Sequence, residues 1–535
     1  MTGDADAVVI GAGPSGLVAA NLLADAGWSV VVLEAEPDPG GAVRSGELTL
    51  PGFLHDRFSA FYPLGAASPI LTGLELERHG LRWRRSPLAL AHPLADGRCP
   101  VLSTDLDETA ASLAAFAPGD GDAWRRLYGL WRRIGGPLLD ALLTPFPPVR
   151  AGARLAARLG PAGMARIARF GVLSVQRLAE EESSGEGARL LLTGSALHTD
   201  LAPDSPASSL FGWLLCSLGQ QIGFPVPEGG AGRLTAALVS RLEARGGRLL
   251  CGARVTRVVV RGGRAVAVVT AGGDEVAAGR AVVADVGAPA LYRDLVGLEH
   301  LPSSVVDDLR RFQYDNSTVK VDWALDGPIP WAAEQARRAG TVHLAEGMDH
   351  FVGASCDLLM GRIPARPHLV LGQMGVADPT RSPAGTETAW AYTHVPQQVR
   401  GDAGGDLKGV WDFAEAEAFA DRIEARIEAV APGFRSLIRG RYVATPPLLE
   451  AADANLVGGA VNGGSAQLHQ QLIFRPFPGL ARPETPVRGL YLGSASAHPG
   501  GGVHGACGSN AARAALAHDR LRRARVWALR GRSGP

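Results

Sequence analysis

The stretch that decides the fold runs from Ala7 to Glu34 and reads AVVIGAGPSGLVAANLLADAGWSVVVLE. Its first residues, Ala7 to Ile10, are all apolar, which is typical of a strand buried on both faces of a parallel sheet. The glycines that follow have the spacing G-x-G-x-x-G, and Leu17 to Ala26 has the composition of a helix. A second apolar run ends on Glu34, eighteen residues after Gly16. This order of elements predicts a βαβ unit that binds a dinucleotide.

Each residue type in this unit has a physical role. Gly11 permits a tight turn, Gly13 lets the backbone approach a pyrophosphate, and Gly16 lets the helix pack closely on the strand. The helix N-terminus offers free N–H groups and the positive end of a dipole to that pyrophosphate. The carboxylate of Glu34 can accept ribose hydroxyls and would repel a 2′-phosphate. The expected cofactor contacts here are Gly11, Gly13, Pro14, Ser15, Gly16 and Glu34.

The next residues separate FAD from NAD. Glu34-Ala35 is followed, after a short spacer, by Gly40-Gly41-Ala42-Val43-Arg44-Ser45. This pattern resembles the second FAD signature of the amine-oxidase and phytoene-desaturase flavoproteins. Many members place an arginine directly after the glycine pair, where this chain has Ala42, so Arg44 is the expected phosphate partner. The resemblance implies FAD as the cofactor, with contacts from Ala35, Gly41, Ala42 and Arg44.

The C-terminal part of the chain carries a second resemblance to the phytoene-desaturase-like family. GLYLGS at 489–494 is followed by HPGGGVHG at 498–505 and then by a helix-like stretch. A glycine-rich loop that leads into a helix N-terminus can place N–H groups against the flavin pyrimidine edge, where negative charge gathers on reduction. Many relatives have an acid where this chain has Ser494. The implied flavin contacts are Gly493, Ser494, Gly502, Val503 and His504.

Between these motifs, residues 229–270 resemble the crossover hairpin of the same family, in which the residue matching Val255 contacts adenine. Ala281 to Asp285 predicts the next central strand. The expected fold class is α/β, with a glutathione-reductase-type Rossmann FAD-binding domain and an interleaved α+β substrate domain. We expect the FAD-binding domain at 1–75, 228–300 and 480–535, and the substrate domain, with a helical lid, at 76–227 and 301–479.

Two further stretches resemble the branch of the family named after pyridine nucleotide-disulfide oxidoreductases. They are Asp378 to Pro383 (DPTRSP) and Tyr392 to Pro396 (YTHVP). The branch name does not fit the cysteines, because all five are widely separated and no C-x4-C pair lies near the first motif. No second G-x-G-x-x-G lies between a strand and a helix. We therefore exclude dithiol chemistry and expect no separate NAD(P)H domain; scattered cysteines also suit a reducing cytosol.

The charge distribution bears on partners and location. The formal net charge is zero, so a nucleic acid is not an expected partner. The segment 124–177 has ten arginines and one acid, Asp140, among apolar residues with amphipathic spacing. It predicts either a lid that touches a membrane peripherally or a solvated arginine-rich face. With neither a signal peptide nor a transmembrane stretch expected, we predict a cytoplasmic protein that can associate with a membrane.

Candidate catalytic residues are few, because a flavin supplies most of the chemistry itself. Lys320 lies on an alternating strand, 317–325, and amine-oxidase relatives carry a lysine on a similarly placed strand, linked through water to flavin N5. The alternative is a solvent-facing or salt-bridged lysine. His498 and His504 flank the flavin loop and are candidate acids or bases, or else loop histidines bonded to the backbone. His55-Asp56 follows the first flavin motif and is expected to be a surface pair; the alternative is a pair that borders the flavin ring.

These observations predict an FAD-dependent oxidoreductase that removes hydride from a C–C bond of a hydrophobic small molecule and passes electrons to oxygen or a quinone. An amine or alcohol oxidase is one alternative, for which an aromatic cage of Trp323, Trp331, Trp390 and Tyr392 is expected. A redox-neutral isomerase or saturase is a second alternative. A non-catalytic FAD-stabilised scaffold is a third. No metal site is expected, since no metal-ligand spacing is present.

Overall fold

The computed structural model describes residues 5–530, and side chains up to residue 524. Its helices of the α type, in chain order, are α1 (Pro14–Asp25), α2 (Pro63–Ala67), α3 (Pro69–Thr72), α4 (Leu106–Ala114), α5 (Asp120–Leu143), α6 (Val149–Phe170), α7 (Val175–Glu182), α8 (Glu186–Ala196), α9 (Ser208–Ile222), α10 (Gly232–Ala244), α11 (Ser303–Leu309), α12 (Met348–Leu359), α13 (Phe413–Glu428), α14 (Pro446–Ala452) and α15 (Ala506–Arg530).

The strands of the described residues are β1 (Ala5–Ile10), β2 (Val30–Leu33), β3 (Ser45–Glu47), β4 (Leu54–Asp56), β5 (Trp83–Arg84), β6 (Leu88–Ala91), β7 (Val101–Leu102), β8 (Val226–Pro227), β9 (Arg248–Leu250), β10 (Val255–Arg261), β11 (Arg264–Thr270), β12 (Glu275–Ala284), β13 (Ser317–Leu325), β14 (Ala339–Leu344), β15 (Arg362–Ile363), β16 (Leu369–Gln373), β17 (Glu387–Val395), β18 (Gly401–Asp402), β19 (Ile438–Ala444) and β20 (Leu490–Leu492).

The first large sheet has the order β10-β11-β12-β1-β2-β9, with β20 paired to β12. Its core is parallel: β20, β12, β1, β2 and β9 all run in the same direction. β12 bridges two regions, since its first half pairs antiparallel with β11 and its second half lies between β1 and β20. Helices α1, α10 and α15 cover one face, where their apolar residues share a core with β1 and β2. On the other face, strands β10 and β11 pack against the parallel strands. The parallel core β12-β1-β2 with α1 between β1 and β2 is the βαβ unit predicted from the apolar runs.

The second large sheet has the order β19-β13-β17-β16-β14-β6-β7. Along β13, Val319, Val321 and Trp323 point into an apolar core that includes Phe419 of α13. Residues on the opposite face alternate with them, as the two-residue period of a strand requires. Three of them are polar and buried, namely Thr318, Lys320 and Asp322, so this side of β13 is called the polar face.

The expectation that four aromatic residues form a cage around the flavin is wrong for two of them, Trp323 and Trp331. Trp323 points away from Lys320 and donates its indole N–H to Glu424 of α13 at 2.9 Å. Trp331 is fully buried in the same core and donates to Gln373 at 2.8 Å. Trp390 lies directly opposite Asp322 in the β13–β17 pairing and therefore shares the polar face.

A helical layer formed by α4 to α9 covers part of that polar face. Trp124, Leu127 and Trp131 of α5 are buried in its core, whereas Arg125 pairs with Asp107 and Asp122 at the surface. The apolar side of α5 is thus occupied by protein, and membrane contact through 124–177 stays a prediction that rests on charge alone. No described helix is long and apolar enough to span a bilayer.

Candidate cofactor and substrate site

Four strands of the first sheet end at the same edge, and each is followed at once by a residue suited to cofactor binding. Gly11 follows β1, Glu34 follows β2, Asp285 follows β12 and Gly493 follows β20. Backbone hydrogen bonds hold these segments in register: Gly11 donates to Leu33 at 2.8 Å and Gly493 to Ala284 at 2.8 Å. The carboxyl edge of a parallel sheet is where ligands bind in such folds.

The glycine turn forms a cradle that side chains would fill. Gly11 has φ +91°, a conformation that favours glycine. A Cβ on Gly13 would lie 2.6 Å from a carboxylate oxygen of Asp285, and one on Gly16 would lie 2.3 Å from the Gly11 carbonyl oxygen. No side chain caps α1 at Gly13, and Pro14 occupies its first position. The N-terminus of α1 therefore fits the pyrophosphate predicted from the sequence.

Asp285 is a site residue that the sequence analysis did not identify. Its carboxylate accepts a hydrogen bond of 2.7 Å from the Gly16 N–H, at the start of α1. Burial raises its pKa to about 7, and the nearby carboxylates of Asp453 and Glu34 act in the same direction. The acid was visible as the end of the apolar run Ala281 to Ala284, but nothing local marks it as a cofactor neighbour.

Glu34 lies where the motif predicts it, with both carboxylate oxygens turned toward the glycine turn and the next loop. One oxygen accepts from the Ala12 N–H at 2.6 Å and the other from the Glu36 N–H at 2.9 Å. Each oxygen retains a further lone pair for a ribose hydroxyl. Ala253, two residues before Val255, donates its N–H to the Glu34 carbonyl at 2.7 Å, so Val255 lies near this end of the sheet.

The segment after Ala35 brings the glycine pair against the first motif. Gly40 donates to the Ala12 carbonyl at 2.9 Å, and a Cβ on Gly41 would lie 3.3 Å from Gly13 Cα. Arg44 is buried and donates to the carbonyls of Gly41 and Ala452 at 2.9 and 2.5 Å. These contacts fix the guanidinium beside the glycine pair; its role toward a phosphate, and that of half-buried Ala42, stay predictions.

The C-terminal loop places its two histidines against backbone. His498 Nε2 is 3.0 Å from the Thr144 carbonyl, and burial lowers the pKa of this imidazole. Ala506 donates its N–H to His504 Nδ1 at 3.0 Å, and burial lowers the pKa of His504 to about 4. Both imidazoles are therefore neutral near pH 7, as in the loop-histidine alternative. Ser494 is buried, whereas Gly502 and Val503 remain accessible.

Lys320 is held in a buried ion pair. Its Nζ contacts Asp322 Oδ1, and His55 Nδ1 lies 3.4 Å from the same oxygen. His55 belongs to β4, directly after the glycine-pair segment, so the cofactor-binding part of the chain meets the polar face of the second sheet here. The expectation of a surface pair at His55-Asp56 is wrong, because both residues are fully buried.

The DPTR residues make a second contact between the second large sheet and the cofactor-binding part of the chain, here β4 and the loop before α10. Arg381 is fully buried and donates to Asp56 Oδ2 at 3.0 Å and to Asp378 Oδ2 at 2.8 Å. Asp378 also accepts the N–H of Gly229 at 2.7 Å, and Asp56 accepts that of Ala231 at 2.7 Å. This network ties the β16–β17 connection to the loop before α10.

Several aromatic side chains lie near Lys320. Phe61 stacks on Phe224 with ring centroids 5.2 Å apart and lies 6.0 Å from Trp390. Lys320 Nζ is 5.9 Å from the Trp390 ring centroid. His198 contacts the edge of Phe61 at 5.6 Å. The sequence analysis missed Phe61 and His198, since neither lies in a motif. Among the residues that the structure describes, no cluster could hold a metal ion.

Comparison with known proteins agrees with this geometry. Residues 14–379 match the family model described as flavin containing amine oxidoreductase. A rat protein, pyridine nucleotide-disulfide oxidoreductase domain-containing protein 2, is 31% identical over 95% of this chain and 92% of its own length. A lycopene-forming phytoene desaturase of a Paracoccus species is 26% identical, covering 94% of this chain and 95% of the desaturase.

Solved structures show the same fold. A putrescine oxidase variant superposes with a TM-score of 0.60 at 18% identity, covering 97% of this chain and all of the oxidase chain (100%). The predicted family and α/β fold class are thus confirmed, as is FAD as the cofactor. The chain belongs to the flavin-containing amine oxidoreductase family and is an FAD-dependent oxidoreductase.

Proposed function

We propose that this protein is a dehydrogenase that introduces a C=C bond into a largely apolar substrate and passes the electrons to a quinone. The observation that carries the proposal is the buried Lys320–Asp322 ion pair. In an oxidase of this family a lysine is expected to act through water beside flavin N5. A lysine bound to a carboxylate, with Trp390 beside it, is less suited to that task.

The surroundings of Lys320 support an apolar substrate. Ala60, Val226, Val370 and Trp390 form a small apolar cluster against which Phe61 and Tyr392 pack. Aromatic rings bury large areas with few rotamers, which favours a flat or unsaturated ligand. The similarity to a phytoene desaturase over nearly the whole chain points the same way.

Bound FAD would accept a hydride from one of the two carbons, and the adjacent carbon would lose a proton. The protein's own residues bind the cofactor and orient the substrate. The α1 N-terminus, Glu34 and the glycine pair would hold the cofactor, and the polar face of the second sheet would position the substrate. Oxidation of two adjacent C–H bonds thus yields one C=C bond, two electrons and two protons, one of them carried in the hydride, and together they reduce the quinone to a quinol.

The proposal is tested by the choice of electron acceptor. We would reduce the holoenzyme anaerobically with light and then mix it rapidly with oxygen or with a short-chain ubiquinone, following the flavin absorbance. Reoxidation by the quinone should be at least about tenfold faster than by oxygen at equal concentration. Lys320→Met should leave the oxygen rate within about twofold of the wild type. Lys408→Met, at the surface, is the matched control.

Fast reoxidation by oxygen that collapses in Lys320→Met would overturn the proposal in favour of an amine or alcohol oxidase. If neither acceptor reoxidises the flavin, the dehydrogenase proposal is also overturned, in favour of a redox-neutral enzyme or a non-catalytic scaffold protein.

FAD affinity should depend on pH through Asp285. Below about pH 7 this carboxyl is protonated and neutral in the folded protein, and above it the carboxylate would repel a pyrophosphate at the α1 N-terminus. If bound FAD raises the pKa of Asp285 by about one unit, the dissociation constant of FAD should rise about fivefold between pH 6 and pH 8. Titration of the apoprotein with FAD, followed by flavin fluorescence, measures this change.

Asp285→Asn should remove most of that pH dependence, because the amide oxygen can still accept the Gly16 N–H but carries no charge. Asp274→Asn, in an exposed turn, should keep the wild-type profile. If the FAD dissociation constant depends on pH equally in Asp285→Asn and in the wild type, Asp285 does not titrate next to the cofactor.

A further inference from the structure

We propose that Tyr392 and His198 bind a hydroxyl or carbonyl oxygen of the substrate, so that the substrate is an oxygenated molecule and not a pure hydrocarbon. The inference rests on the proposed function and narrows it. It also gives a role to the YTHVP residues, which the cofactor site does not use.

Tyr392 lies next to Lys320 on the polar face of the second sheet. The two residues are directly opposite each other in the β13–β17 pairing, so their side chains share that face. The Tyr392 hydroxyl is 3.3 Å from His198 Nδ1, and His198 Nε2 is 2.8 Å from His343 Nε2. The three side chains form a hydrogen-bonded chain that starts beside Lys320.

His198 and Tyr392 keep some accessible surface, although Lys320, Trp390 and His343 beside them are buried. Both also contact aromatic side chains near Lys320, since His198 meets Phe61 and Tyr392 lies 6.1 Å from Trp390. A ligand beside Lys320 would therefore contact these two polar groups together with the aromatic rings.

The hydrogen-bonded side chains of Tyr392, His198 and His343 carry no charge near pH 7, and together they can donate a hydrogen bond to a ligand or accept one from it. Burial lowers the pKa of His198 to about 3 and that of His343 well below its usual value, while burial raises the pKa of the Tyr392 hydroxyl. If His198 Nδ1 carries no proton, Tyr392 donates to it and its oxygen can accept from a substrate hydroxyl. In the other tautomer His198 donates to Tyr392, whose O–H can then reach a substrate carbonyl.

Further polar atoms beside these three side chains have no hydrogen-bond partner within the described protein, although His394 Nδ1 lies 3.9 Å from Asp200 Oδ1. They include both ring nitrogens of His394, Nδ1 of His343 and the hydroxyl of Thr318, all buried. Thr318 and His394 are opposite each other in the sheet. They form the next pair on the same face after Lys320 and Tyr392. A buried unpaired polar atom costs about 1–3 kcal/mol, which an apolar core would avoid. The histidines do not converge on a metal position.

The test compares two probes of nearly equal shape, 2-naphthol and 2-methylnaphthalene. Their dissociation constants are measured from the change that they cause in the visible absorbance of the oxidised holoenzyme. The wild type should bind 2-naphthol more tightly, and Tyr392→Phe should reduce this preference about fivefold, as expected for one lost hydrogen bond. His198→Leu is a second variant and should have a similar effect.

Tyr292→Phe is the matched control, since this tyrosine is buried in the core of the first sheet and should leave the preference unchanged. Equal binding of the two probes by the wild type, no binding of 2-naphthol, or a preference that survives in both Tyr392→Phe and His198→Leu would overturn the inference. Because no turnover is involved, these results are independent of the acceptor experiment. A failure of the dehydrogenase proposal is thus distinguishable from a failure of this one.

Discussion

Arg381→Leu should lower the free energy of unfolding by about 3–5 kcal/mol, the range for breaking a buried charge pair from one side. Arg381, Asp56 and Asp378 are all fully buried in their mutual contact. Without the guanidinium, two carboxylates would remain in the interior with no cation. Unfolding of the holoenzyme in urea, followed by circular dichroism, measures the change. We also expect weaker FAD retention, because the network supports the loop before α10.

The control is Arg338→Leu, which removes a surface ion pair with Glu108. An exposed pair contributes about 0–1 kcal/mol, so this variant should be close to the wild type. Adding Asp56→Asn and Asp378→Asn to Arg381→Leu should restore part of the lost stability, since the unpaired charges are then gone. If Arg381→Leu proves as stable as Arg338→Leu, the two sheets are not joined through this network.

The sequence marked the DPTR stretch only as a feature of one family branch, and there is a physical reason for that limit. Arg381 meets Asp56 across 325 positions of the chain, and Asp378 meets Gly229 across 149. Such contacts depend on the packing of two sheets, which no local pattern encodes. A buried arginine looks the same in sequence as an exposed one.

The first βαβ unit, by contrast, was predictable almost residue by residue. Its apolar runs became β1 and β2, and the stretch after the glycine turn became α1. The strand pattern and the glycine spacing are local properties, and the same few residues also determine where the cofactor binds. The confirmed family and cofactor were likewise predicted from local motifs, the glycine pair after Glu34 and the loop at 498–505.

Strand alternation gave only half of the information needed for the substrate site. It shows that Lys320 and Asp322 share one face of β13 and that Trp323 lies on the other. It does not show which face meets the cofactor-binding segment, because β4 and α13 cover opposite sides only after folding. Because α13 packs on one face of β13 and β4 on the other, Trp323 is a core residue and His55 lies beside Asp322.

Gly508→Ala should destabilise the protein by at least about 3 kcal/mol, at the upper end of the cost of overpacking. It should also weaken FAD binding at least about tenfold. The Cβ of an alanine at this position in α15 would lie 1.8 Å from the carbonyl oxygen of Ser15 in α1. Since a backbone atom cannot rotate away, α15 must move or push the first turn of α1 aside. That turn is the predicted pyrophosphate site, so the flavin content of the purified protein and its thermal unfolding should fall together.

Gly129→Ala in α5 is the matched control, because a Cβ there meets nothing within 4 Å. Alanine is favoured over glycine in an exposed helical position, so this variant should be stabilised by up to about 1 kcal/mol. The same substitution would then have opposite signs in two helices, according to what the new methyl group contacts. Wild-type FAD affinity in Gly508→Ala would mean that α1 and α15 can separate without disturbing the cofactor. The glycine would then serve helix packing alone.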